Sequence, residues 1–291
     1  MLGGVCESLF NSCLNGSSSF FSCCLGDENN KWTRKATNTG IYDKFLKCTN
    51  AFLEIGYEYS DSEKTVKEIG KAREFITLGR DALGILNVVN GVFPRIVGNF
   101  QSLYYFFTAN PADEPTKNSW EITKKSFRKA QEANDQDASI GEKIAFVAEQ
   151  VGKAVANLDF VVAFGLSKPI DLIGRFFPDS VDPVAKEIGK AFPTIWFANH
   201  VAGVFGNGGA MAYQTLRYNR RIVSDNAADN AVVDNAYVIS MLENGLGFTA
   251  KVLEVVQGSF KLAKSALPAP ARLTLSVGAA VAGLVGALVK D

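Results

Sequence analysis

The stretch LTLSVGAAVAGLVGALV, residues 273–289, contains 17 residues and no charge. Arg272 stands before it, and Lys290 and Asp291 follow it. As an α-helix it rises about 25 Å, just short of the hydrocarbon core of a bilayer. Gly278, Ala282 and Gly286 recur every four residues, and Ala279, Gly283 and Ala287 form a second row. Rows of small residues let helix backbones approach closely, as membrane helix pairs do. Glycine costs a helix in water about 1 kcal/mol relative to alanine. The stretch therefore suits lipid, or a tight groove in a soluble core, better than a solvated surface. Its two rows face different sides. One is expected to meet the preceding long helix, folded back across Pro268 and Pro270, and the other a second copy of the chain. Gly278, Ala282, Gly283 and Gly286 are thus the candidate membrane and self-association residues.

Outward from this tail, the chain is expected to be an all-α multi-helix bundle. The stripe Ile41, Phe45, Cys48, Phe52, Ile55 and Tyr59 steps at helical spacing and reads as a core face, with Asp43, Lys47, Glu54 and Glu58 mostly elsewhere. Ser62 is placed to cap a helix running from residue 63 to about 90. Pro94 is expected to bend or end it. Tyr104, Tyr105, Phe106 and Phe107 must cover more than one helix face. Residues 120–134 read as a surface helix whose cations, Lys124, Lys125, Arg128 and Lys129, form a solvated face. A further amphipathic helix is expected over 139–166, with an apolar stripe from Ile140 to Val162. Residues 193–216 form a second uncharged stretch, a candidate membrane segment beside 273–289 or a helical hairpin turning at GNGG, 206–209. A long helix is expected over 227–265.

Residues 1–40 read as a disordered leader rich in Cys and Ser, preceding a helical domain over 41–291. All five cysteines, Cys6, Cys13, Cys23, Cys24 and Cys48, lie in the first 48 residues. A disulfide framework would spread across the fold, so no oxidising compartment follows. Cys6, Cys13, Cys23 and Cys24 are candidates for acylation, with unmodified thiols as the plainer reading. The N-terminus lacks the basic and long apolar regions of a secretory signal.

Thirty basic residues balance thirty acidic ones, so no global charge directs the chain to nucleic acid. The single histidine, His200, sits in an apolar run and reads as a buried structural residue. No nucleophile has an evident base, no metal-ligand spacing occurs, and GNGG lacks the context of a phosphate loop. The expectation is a non-enzyme without cofactors.

The segment EIGKAREFITLGRDALGIL, residues 68–86, resembles a region of the peroxisomal membrane-elongation (peroxin-eleven) family, carried here by Arg73, Leu78, Gly79 and Arg80. NFQSLYYFF, residues 99–107, resembles the hydrophobic element that follows it, and the tail falls where that family has its last membrane helix. The resemblance implies a non-catalytic protein that inserts into a membrane, the peroxisomal one in that family, self-associates, and elongates, shapes or organises that membrane. The polar leader and undiagnosed helices also look similar to type III secreted or inclusion-membrane proteins of intracellular bacteria. That likeness implies the alternative, a soluble helical effector or adaptor that binds a partner protein and is secreted into or associated with a host-cell compartment.

Overall fold

The computed structural model describes residues 39–108, 114–224 and 230–289. Within them every regular element is helical and there is no strand. In chain order they are α1 (Thr39–Tyr59), α2 (Glu63–Asn87), α3 (Phe93–Thr108), α4 (Glu121–Ala133), α5 (Ile140–Val161), α6 (Lys168–Phe176), α7 (Pro183–Lys190), α8 (Phe192–Ser224), α9 (Asn230–Leu262) and α10 (Ala269–Val289). The leader expected over 1–40 lies outside the described residues, except that α1 already begins at Thr39. Cys6, Cys13, Cys23 and Cys24 also lie outside them.

Local chemistry sets several boundaries as expected. The Ser62 hydroxyl accepts from the Thr65 amide and starts α2. Ser139 and Glu142 form a reciprocal capping box at the start of α5. Pro94 does not stop its helix. A π-turn at Val88–Val92 leads straight into α3, with Pro94 in the first turn, where its missing N–H costs little. A second π-turn, Val162–Ser167, joins α5 to α6.

The long helices form a closed ring. Helix α5 packs on α8, α8 on α9, α9 on α10, α10 on α1, and α1 on α2. The ring closes where α2 meets the turn after α5. There a Cβ on Gly84 would lie 2.4 Å from the Phe164 ring, so only glycine admits that aromatic edge. Ion pairs fasten α1, α2 and α10 at one end: Arg272 bonds Glu58 at 2.6 Å and approaches Glu54 at 3.5 Å, and Arg73 reaches Glu54 at 3.8 Å. At the other end Arg217 pairs with Glu132, and Arg220 with Glu142 and Asp135.

Two expectations are overturned by packing. The first is a hairpin at GNGG. Helix α8 runs unbroken through residues 206–209. A Cβ on Gly206 would lie 2.8 Å from the Lys153 amide nitrogen, one on Gly209 2.5 Å from that of Glu149, and one on Gly152 2.4 Å from that of Gly206. These glycines serve backbone contact between α5 and α8. The second is the core face of α1. Cys48 is buried, but Phe45, Phe52 and Tyr59 are exposed. The ring turns the other face of α1 inward, so Asp43, Lys44 and Lys47 approach Arg80, Lys251 and Glu254.

The tail forms the expected hairpin with α9: Gly278 faces Leu253 and Gly286 faces Leu246, with Ala282 buried. The link turns through Lys264 at φ 52°, and the Ser265 amide donates to the Phe260 carbonyl. The second row, expected to meet another copy, is used inside the chain. Ala279 is buried and Gly283 lies against Lys44 and Ala250, while Ala280 beside them packs with Cys48 and Ala51 of α1. In the segment resembling the peroxin-eleven region, Arg73 and Arg80 bind Asn50 and Asp43 of α1, Gly79 faces Leu46, and Leu78 is exposed.

The packing generates two stability predictions. Gly209→Ala should destabilise the fold by about 1–3 kcal/mol through overpacking, whereas Gly208→Ala, whose Cβ would lie 3.5 Å from Phe248, should be neutral or stabilising. Lys264→Gly should stabilise by up to about 1 kcal/mol by relieving a left-handed lysine. Denaturant titration of helical circular dichroism measures both.

Candidate functional site

The apolar cores of this bundle are small and sit at the seams between helices. One joins Ala130, Ala133, Phe146 and Tyr213, a second Cys48, Ala51 and Ala280, and a third Val88, Ala163 and Phe164. The centre of the ring is a polar chamber of about 640 Å³.

Each wall contributes polar groups, and α1, α5, α8 and α9 turn most of theirs inward. From α1 and α2 come Asp43, Lys44 and Arg80, with Arg80 Nε donating to Asp43 Oδ1 at 2.9 Å. From α3 and α4 come Arg95, Lys125 and Lys129. Ser126 ties these two helices together by donating to the Gly98 carbonyl, which also accepts from Ser102 one turn along α3. Helix α5 supplies Gln150, Lys153 and Asn157, and α8 and α9 supply Asn199, Asn207, Glu243, Asn244 and Lys251. The lining holds seven cations and two carboxylates, a strongly positive balance in a chain with no net charge.

Three arrangements set the electrostatics. Glu149, 2 % exposed, accepts from Lys129 and Lys153, each at 2.7 Å. Burial pushes the Lys129 ammonium below its ordinary range, and the Glu149 charge opposes the shift. Lys251 Nζ donates to Asn199 Oδ1 at 3.0 Å and lies 5.6 Å from the centre of the Trp196 ring. Gly203 makes room for it, since a Cβ there would lie 3.0 Å from Lys251 Cε. Behind this wall Glu254 joins Lys47 and His200, while His200 Nδ1 meets the Trp196 carbonyl at 2.7 Å. His200 is buried with both ring nitrogens engaged, as a structural histidine would be.

The four cations read as one solvated face divide on folding. Lys125 and Lys129 line the chamber, Arg128 is exposed, and Lys124 donates to the Lys117 carbonyl. The candidates Gly278, Ala282, Gly283 and Gly286 lie together on α10 at its seams with α9 and α1. Arg73, Leu78 and Gly79 lie along α2 away from the chamber lining, and Arg80 alone of that group enters it. Sequence reasoning missed the chamber residues because charges along one helix face usually mark water. A signal was present in the paired carboxylates and lysines on long helices with unusually apolar opposite faces, such as Glu149 and Lys153 against Val151 and Val155.

No group of three or more metal-ligating side chains occurs among the described residues. The arrangement can hold and orient negative charge. Comparison with protein-family models, with characterised proteins and with solved structures finds no match for the chain.

Replacing Glu149 by Gln leaves two ammonium groups without their shared carboxylate. We expect it to destabilise the fold by on the order of 1–3 kcal/mol, between surface and buried ion-pair values. Lys153→Gln should cost less, because Lys129 keeps its partner. Denaturant midpoints of the two variants give the comparison.

Proposed function

We propose that the chain is a membrane-embedded, non-catalytic helical protein whose ring presents an apolar girdle to lipid and encloses a polar interior. The observation that carries this reading is the inverted distribution of side chains. Every exposed position of the chain from residue 140 to 166 is uncharged, including Ile144 at 65 %, Val151, Val155, Leu158 and Val162. The same holds for 198–216 on α8, where Phe205 is 66 % exposed, for 238–260 on α9, and for 274–288 on α10. Meanwhile Glu142, Glu149, Gln150, Asn199 and His200 are buried. A soluble protein places these classes the other way round and seldom exposes large contiguous apolar patches.

The dimensions agree with a bilayer. At 1.5 Å per residue, 198–216 spans about 28 Å and 238–260 about 34 Å, against roughly 30 Å of hydrocarbon. Arg217, Arg220 and Arg221 follow the first, and Lys261 follows the second. Helix α10 is long and apolar enough to cross a membrane on composition alone. Over 140–166 and 238–260 the charges of α5 and α9 are not exposed, in keeping with ionisable residues of membrane helices pointing inward. Helices α4 and α7, with exposed Lys125, Arg128, Lys186 and Glu187, and the first half of α2, with exposed Glu63, Lys64, Lys67, Glu68, Lys71 and Glu74, lie outside the girdle.

Membrane association is what the apolar α10 supports. Elongation of a membrane, and a peroxisomal one in particular, is carried by the resemblance of residues 68–86 and 99–107. The alternative, a soluble effector or adaptor, needs a protein partner to cover the girdle.

Carbonate extraction should leave the full-length chain in the membrane pellet, and its release into the supernatant would overturn the reading. Val155→Arg discriminates further. Arginine near the middle of a lipid-facing helix costs about 2.5–3.5 kcal/mol, so membrane-retained folded protein should fall sharply. A water-facing position would tolerate the same change without loss.

A further inference from the structure

We propose that the central chamber is a binding site for a phosphate-bearing ligand. Four observations meet there. The volume, about 640 Å³, lies within the range of small-molecule sites, roughly 300–1,000 Å³. Its lining is cationic by seven groups to two. Lys44, Lys125 and Lys251 form no ion pair among the described residues, although Arg80, Lys129 and Lys153 do. Gln150, 1 % exposed, has its Nε2 amide donor buried without a hydrogen-bond partner.

Cations gathered without counter-charges repel one another. Lys44, on the same helix, and Lys251, across the interior, both act on Lys47, and Lys44 acts on Lys251, with Asp43 as the opposing carboxylate. Water screens such a cluster less inside a bundle than on a surface. A multivalent oxyanion would neutralise it by engaging Lys44 from α1 and Lys251 from α9, with Lys125 of α4 at the exposed rim of the chamber. Gln150 and the asparagines of α5, α8 and α9 add neutral amide groups that suit oxygen acceptors and, through their carbonyls, hydroxyls. Phosphate fits better than a single carboxylate because its additional charge and oxygens can answer lysines that hold no carboxylate on separate walls. The phosphate can belong to a dissolved molecule or to a lipid headgroup.

The inference concerns the interior and does not rest on the girdle facing lipid. The test uses the full-length chain purified in detergent. Thermal unfolding is followed with increasing inorganic pyrophosphate, with a short-chain phosphatidate, and with potassium chloride at matched ionic strength. Pyrophosphate should raise the midpoint saturably where chloride does not. The Lys44→Gln/Lys251→Gln double variant should weaken that response at least tenfold while folding without ligand, since neither lysine holds a carboxylate. A saturable response to phosphatidate alone, lost in the double variant, assigns the phosphate to a lipid headgroup. Absence of a saturable response to either phosphate compound, a response equal to that of chloride, or undiminished binding by the double variant overturns the proposal. Should the double variant not fold, Lys125→Gln, exposed on α4, replaces it: weakening of about threefold or more supports the site and unchanged affinity overturns it.

Discussion

Helices α5 and α8 meet backbone to backbone, and the rest of the ring is hung on that contact. Gly152, Gly206 and Gly209 remove the side chains that would hold the helices apart. Two helices this close cannot rotate independently. Their crossing fixes the inward direction of Gln150, Lys153 and Asn157 on one and Asn199 and Asn207 on the other. It also fixes the outward direction of Val151, Val155 and Phe205. One small-residue seam thereby determines both the polarity of the interior and that of the exterior. The tail uses the same device at lower stringency, with Gly278 and Gly286 against leucines of α9.

The polar interior then has to satisfy itself. It does so unevenly. Glu149 serves two lysines, Glu254 joins a lysine and a histidine, and Asp43 holds Arg80. Apart from Glu149–Lys153, which lies within α5, these pairs bridge separate helices and act as cross-ties where a hydrophobic core would otherwise sit. Elsewhere Lys251 settles for an amide oxygen and the face of an indole. The same chamber is thus neutralised beside α5 and left charged between α1 and α9. That asymmetry distinguishes a supporting wall from a receptive one.

How much of this was legible in the sequence follows from the physics involved. Helix class, the Ser62 and Ser139 starts, and the α9–α10 hairpin depend on local periodicity, capping and chain reversal at proline, so they could be read directly. The orientation of α1 could not. Phe45 and Phe52 look like a core stripe because periodicity reports that two faces differ, without saying which medium each one meets. GNGG misled for a related reason. Glycine in sequence signals conformational freedom, while here it answers a neighbour more than 50 positions away, around Gly152. Lys125 and Lys129 of α4 read as part of a solvated face for want of knowledge that they would line an interior. The family-like Arg80 was singled out on resemblance and proves to be a chamber residue through its pairing with Asp43. Lys44 and Lys251 carried no mark in the sequence at all.

The ring is closed by segments that lie far apart along the chain. Arg272 of α10 reaches Glu58 of α1 across a separation of 214 positions, and Ser276 reaches Glu54 across 222. Contacts of such range carry the largest loop-closure entropy and form late. Until α10 docks, the inner face of α1 has a wall on one side only, and the lysines it carries stand open to whatever surrounds the growing bundle. The lysines of α1 are therefore walled in by the contacts of longest range, and access to them in the finished ring runs through the gaps it leaves.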